Sequence, residues 1–159
     1  MKSKEKELLD APCETHDPDL SRCQPLTATT EQLSLHISPA QLQQLSPSAL
    51  AYLGDAVYEV YVRMFYLLPP QRPDTYHHLV VAQVRAEAQA KIMRSLRPHL
   101  RNTELEIVRR GRNAATKGPK RVDPETYQQA TSLETLIGYL YITDFQRLTE
   151  LLQKLDLEK

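Results

Sequence analysis

No apolar run in this chain approaches the ~20 residues a helix needs to cross a bilayer. The opening stretch, "MKSKEKELLDAPCETHDPD", lacks the apolar core of a secretory signal, and its acids set it apart from organelle transit peptides. These absences predict a cytoplasmic protein with no membrane partner. Cysteine is scarce: Cys13 and Cys23 are the only two. With His16 they fall short of the four ordered ligands of a closed zinc site, so they read as two reduced thiols. Also missing are the alternating apolar pattern of strands flanked by hairpin turns and any repeat at a fixed period. What remains is helical.

The chain has 159 residues, enough for one domain with its own core and some excess. Its net charge of zero is unevenly spread. Residues 1–40 carry −3, and residues 41–159 carry +3. Within the latter, 85–121 hold eleven Lys and Arg against Glu87, Glu104 and Glu106. An acidic head on a body with one strongly basic third points to a polyanionic partner for the body. Residues 1–40 show no sustained periodicity and are expected to be a disordered or loosely attached tail; 41–159 are expected to form the folded domain.

Prolines beyond residue 48 lie at apparent boundaries, and the segments between them have helical spacing. A first helix is predicted over about 47–68, with Leu50, Leu53, Val57, Val60, Tyr61, Met64 and Leu68 as its buried stripe. A second should span roughly 75–97. A third should open on a Thr103/Glu106 capping box and end near Gly111. A fourth should start at Asp123-Pro124, an N-cap residue followed by proline at the first helical position, and run to about Ile142. A last helix should open on Thr143 and Gln146 and run to about Leu155. The fold class is all-α.

Two carboxylates sit oddly in this pattern. Asp55 follows Gly54 in the middle of the first helix, where both residues cost helix stability against alanine. Glu134 lies on the row Tyr127, Ala130, Glu134, Ile137, Tyr141 at spacings of three and four, an acid on an otherwise largely apolar line. Each has an ordinary explanation. Asp55 can lie on an exposed face beside a Glu59–Arg63 surface pair, and Glu134 can close a capping box opened by Thr131 if its helix starts late. The functional explanation is that both converge on Mg²⁺, a hard cation that takes few oxygen ligands from protein and the rest from water and phosphate.

The stretch "VRRGRNAATKGPKRV" contains six basic residues and no acid. Arg109 and Arg110 can complement the negative end of the third helix. The charges after Gly111 have no such role, and a loop of Gly, Asn and Lys suits phosphate contact. Arg112, Asn113, Lys117, Lys120 and Arg121 are therefore the candidate phosphate-binding residues, for RNA if the resemblance below holds.

"LAYLGDAVYEVYVR", then "RRGRNA", then "ATSLETLIGYLY" resemble the ribonuclease III catalytic domain, in that order and over about residues 47–154. The resemblance is closer to the short form, which lacks a double-stranded-RNA-binding domain. It implies an all-α endonuclease fold, a homodimer with a catalytic valley, and Mg²⁺-dependent cleavage of double-stranded RNA, in bacteria the large-subunit (23S) ribosomal RNA precursor. By motif, Asp55 takes the place of the catalytic aspartate and Glu134 that of the metal-binding glutamate. The full-length enzymes carry a glutamate where this chain has Ala51 and an aspartate where it has Thr131; the short form resembles this chain at both. Gly54 would then admit a neighbouring backbone or the RNA, or simply pack as a small residue. The competing class is a catalytically idle helical module that binds RNA or a ribosomal protein.

Overall fold

Asp123 accepts a hydrogen bond from the Thr126 amide at 2.9 Å, and Pro124 opens the helix behind it, as the spacing predicts. That helix, Pro124–Thr143, is the central element of the fold. Almost every residue from Ala130 to Leu140 is buried, because other helices pack around it. The computed structural model describes residues 37–116 and 118–157. The expected tail, 1–40, lies almost wholly outside them.

In chain order the described helices are α1 (Pro39–Gln44), α2 (Pro47–Tyr66), α3 (Pro73–Val84), α4 (Ala86–Leu96), α5 (Asn102–Ala114), α6 (Pro124–Thr143) and α7 (Phe145–Leu152), with a 3₁₀ turn at Arg97–His99. Every regular element among the described residues is helical. Helical order begins earlier than the sequence suggests: Ser38 and Gln41 form a capping box for α1. α2, α4 and α5 all pack against α6.

The buried stripe of α2 differs from the predicted one. Leu50, Ala51, Gly54, Tyr58, Val62 and Tyr66 face inward, whereas Val60, Met64 and Leu68 of the predicted stripe are exposed. α2 is apolar on more than one side, so periodicity cannot say which side α6 covers. The small residues Ala51 and Gly54 decide it, because they let the two helices approach closely.

The predicted second helix is two. Arg85 adopts extended backbone (φ −71°, ψ 154°) between α3 and α4. This break lets α4 bury Gln89, Ala90, Met93 and Leu96. Both predicted capping boxes are also displaced. In α5 the Arg101 amide donates to Glu104 Oε2 at 2.7 Å, and Glu106 instead pairs with Arg109. In α7 the cap is Asp144, which accepts from the Arg147 amide at 2.9 Å, while the Thr143 hydroxyl donates to the Tyr139 carbonyl within α6. α5 runs through Gly111 to Ala114, so Arg112 and Asn113 belong to its last turn.

A buried ion pair fastens α7 to α5. Arg147 forks onto Glu104 through Nε (2.8 Å) and Nη2 (3.1 Å), and Nη2 also donates to the His99 carbonyl at 2.8 Å. Burial pushes the Glu104 carboxyl up, but the Arg147 and Arg101 hydrogen bonds outweigh it and hold it below its ordinary value. A pair with this geometry satisfies most of what burial removes.

Candidate active site

Gly54 explains how the two unusual carboxylates meet. A Cβ on Gly54 would run into the backbone carbonyl of Glu134 and lie 2.7 Å from the Gly138 nitrogen. A Cβ on Gly138 would run into the Leu50 carbonyl. α2 and α6 thus touch backbone to backbone at two glycines one helical turn apart from Leu50 and Glu134. This contact sets Asp55, next to Gly54, close to Glu134.

The ordinary explanation for Glu134 does not hold. α6 starts seven residues before Thr131, which is buried in mid-helix and caps nothing. The explanation for Asp55 holds in part. Asp55 is exposed, and the Glu59–Arg63 pair is present, with Arg63 Nε donating to Glu59 at 3.1 Å. Yet Asp55 also faces a second acid. Burial, and then the charge of Asp55, raise the Glu134 carboxyl to about 7. Burial and the nearby Glu59 raise Asp55. In each case the side-chain amide of Gln89 opposes the rise.

Two carboxylates held together at the cost of raised proton affinity form a ready seat for a hard divalent cation. Among the described residues no group of three or more His, Cys, Asp or Glu could hold a metal, so a cation held by this pair would take its other ligands from water and substrate. That arrangement suits Mg²⁺ and does not suit a closed zinc site.

Gln89 was not legible as a site residue, although one signal exists. It shares the register Gln89, Met93, Leu96 with the buried face of α4, so an amide occupies a core position.

The candidate RNA-binding residues gather around the connection from α5 to α6. Arg112 and Asn113 are exposed on the last turn of α5, and Arg112 Nε donates to Gln128 at 3.4 Å. Lys120 and Arg121 are exposed in the turn before α6, and Lys117 lies outside the described residues. Two clefts flank this connection. One of about 310 Å³ is lined by Arg97, Arg109 and Arg112, and one of about 480 Å³ by Thr116, Lys120 and Tyr127. Neither includes Asp55 or Glu134. The carboxylate pair therefore lies outside these two clefts.

Comparison with known proteins agrees with this architecture. The Ribonuclease III domain family matches residues 48–144. A Mini-ribonuclease 3 of Synechocystis is 60% identical over 116 residues, 73% of this chain and 81% of that protein. A Mini-ribonuclease 3 of Gloeobacter violaceus is 50% identical over 120 residues, 76% of this chain and 89% of that protein. A crystal structure of a Fusobacterium nucleatum protein superposes with a TM-score of 0.63 at 29% identity, covering 68% of this chain and 88% of that one. No helix among the described residues is long and apolar enough to cross a membrane. The chain belongs to the ribonuclease III family of endoribonucleases, in its short, Mini-ribonuclease III branch.

Proposed function

We propose that this chain is a Mg²⁺-dependent endoribonuclease of double-stranded RNA, with Asp55 and Glu134 as its catalytic, cation-binding pair. The observation that carries this reading is the α2–α6 crossing, which forces two carboxylates together where their charges oppose each other. A bound divalent cation supplies Lewis acidity, stabilising charge on the scissile phosphate and acidifying water for attack. The chain's own part is to hold the seat and the substrate. Glu134, half-buried on α6, is the fixed ligand; Asp55, exposed on α2, meets the substrate side. Duplex RNA offers regular phosphates and a shallow minor groove, so recognition by Arg112, Asn113, Lys117, Lys120 and Arg121 reads shape more than sequence. The resemblance to the short form suggests the 23S ribosomal RNA precursor in the cytoplasm as the natural substrate.

Labelled duplex and single-stranded RNA, each incubated with Mg²⁺ or with EDTA, test the reaction. Cleavage should require both the duplex and Mg²⁺. Duplex binding without cleavage in Mg²⁺ would instead identify an idle RNA-binding module.

The working unit is a homodimer. Val60, Met64 and Leu68 expose an apolar strip along α2, with Met64 56% and Leu68 70% accessible. A strip of this kind favours a protein partner, and a second copy of the chain is the partner the family resemblance suggests. Met64→Asp should convert the dimer to a monomer in light scattering and abolish cleavage with it. A dimer that survives this charge would remove α2 from the interface.

Charge in the basic stretch can be read from salt dependence. Each phosphate contact contributes a slope of about −0.9 in log K against log salt on B-form DNA, with duplex RNA taken as similar. Replacing Arg112, Lys117 and Lys120 together by Gln should flatten that slope by about 2 to 3 and weaken unrelated duplexes alike. Arg109→Gln is the control: its guanidinium is occupied by Glu106, at 2.9 and 2.6 Å, so the slope should not move. An unchanged slope in the triple variant would put the RNA elsewhere.

A further inference from the structure

Gln89 is 1% exposed, and its backbone amide is satisfied in the first turn of α4 by the Arg85 carbonyl at 3.1 Å. Its side-chain nitrogen is not. Among the described residues Gln89 Nε2 is the one buried side-chain polar atom that completes no hydrogen bond. The same side chain nevertheless lies beside both Asp55 and Glu134 and holds down the proton affinity of each. α4 packs on α6, and Gln89 lies on the buried face of α4, so it approaches the pair from within the protein.

An unpartnered buried amide donor is costly, and Leu or Met would fill the same space without that cost. The chemistry of the amide accounts for its presence here. One NH₂ group carries two protons and can serve two acceptors, and an ionised carboxylate has two oxygens. An amide beside the pair can hold one oxygen of each acid, leaving the other oxygens free for a cation.

We propose that Gln89 Nε2 is a positioning donor that orients the Asp55 and Glu134 carboxylates so that their remaining oxygens converge on one divalent cation. The inference rests on the cation-binding reading of the pair. Gln89 touches neither substrate nor scissile phosphate; it acts through the two acids, as outer partners of metal ligands do.

Mn²⁺ binding to the full-length chain without RNA, measured by electron paramagnetic resonance, tests it. Wild type should bind Mn²⁺, and Glu134→Gln should abolish that binding. Gln89→Leu should weaken it by about 10- to 100-fold, with Tm held and metal-free duplex binding unchanged. In cleavage, the Mg²⁺ concentration for half-maximal rate should rise by the same factor while kcat at saturating Mg²⁺ stays within a few-fold. If Gln89→Leu loses several degrees of Tm, Gln89→Met, which matches the side chain in length, takes its place. Wild-type Mn²⁺ affinity in the folded Leu or Met variant would make Gln89 a packing residue and overturn the proposal, leaving the cation site intact. Wild type that binds no Mn²⁺, or Glu134→Gln that binds it normally, would overturn the cation reading itself and this inference with it.

Discussion

Asp55→Asn should abolish cleavage while making the metal-free protein more stable. The substitution keeps size and hydrogen bonding but removes the charge that the cation needs. A loss on the order of a thousandfold in kcat, about 4 kcal/mol of transition-state stabilisation, is expected, with duplex binding retained. The stability gain follows from the same geometry. Asp55 raises the proton affinity of Glu134, so in the metal-free state the two charges oppose folding. Glu134→Gln should show the gain most clearly, on the order of 2 kcal/mol near pH 8, because Glu134 is the more buried acid. A residue that served only the fold would behave in the opposite way. Substantial Mg²⁺-dependent activity in Asp55→Asn, or a large fall in Tm, would remove Asp55 from the proposed site.

The pH dependence of that gain has a definite sign. Glu134 titrates at about 7 in the folded chain and near the ordinary glutamate value when unfolded, so the native state holds the proton more tightly. The stability contributed by the protonated form is full below the unfolded value. It is lost as pH rises towards about 7. Thermal melts of the metal-free protein should therefore differ most from Glu134→Gln at the upper end of this window and converge in acid. Saturating Mg²⁺ should close the gap by neutralising the pair.

Much of the fold is legible in the sequence alone. The prolines and the Asp123 cap marked the boundaries of α6, because both act within one turn of chain. Asp55 and Glu134 stood out because a charge in a packing row needs a reason. The buried face of α2 was not legible. Val60, Met64 and Leu68 are as apolar as the residues that are buried, and only the approach of α6 at Gly54 selects among them. The role of Glu104 was hidden for a related reason. Glu104 is held by Arg147, 43 residues away in sequence, and a local rule does not see such a partner. Gln89 was hidden because its meaning depends on two acids from two other helices.

Gly54→Ala should be, with Gly138→Ala, among the most damaging single-methyl changes at the described residues. A new Cβ there meets the carbonyl of Glu134 and the nitrogen of Gly138, both backbone atoms inside a helix, and neither can rotate away. Overpacking a core ordinarily costs about 1–3 kcal/mol because side chains give way. Here α2 and α6 must move apart as units, so a loss of about 4 kcal/mol or more is expected, in the range that single substitutions rarely reach. The helix-propensity gain of alanine over glycine, about 1 kcal/mol, is too small to offset it. Gly111→Ala provides the comparison. Its Cβ would meet the Thr135 hydroxyl and lie 2.7 Å from the Thr135 Cβ, so α5 must shift, but against one side chain and not against helix backbone, and a smaller cost of about 1–3 kcal/mol is expected. Urea denaturation of both variants orders the two effects. Any Gly54→Ala protein that still folds should have its helices spread at the crossing and its carboxylates parted. It should then require more Mg²⁺ for cleavage than wild type, by a larger factor than Gly111→Ala, whose methyl meets the Thr135 side chain and not the backbone beneath Glu134. A Gly54→Ala protein with wild-type stability would mean that the close crossing, and the site built on it, has been misjudged.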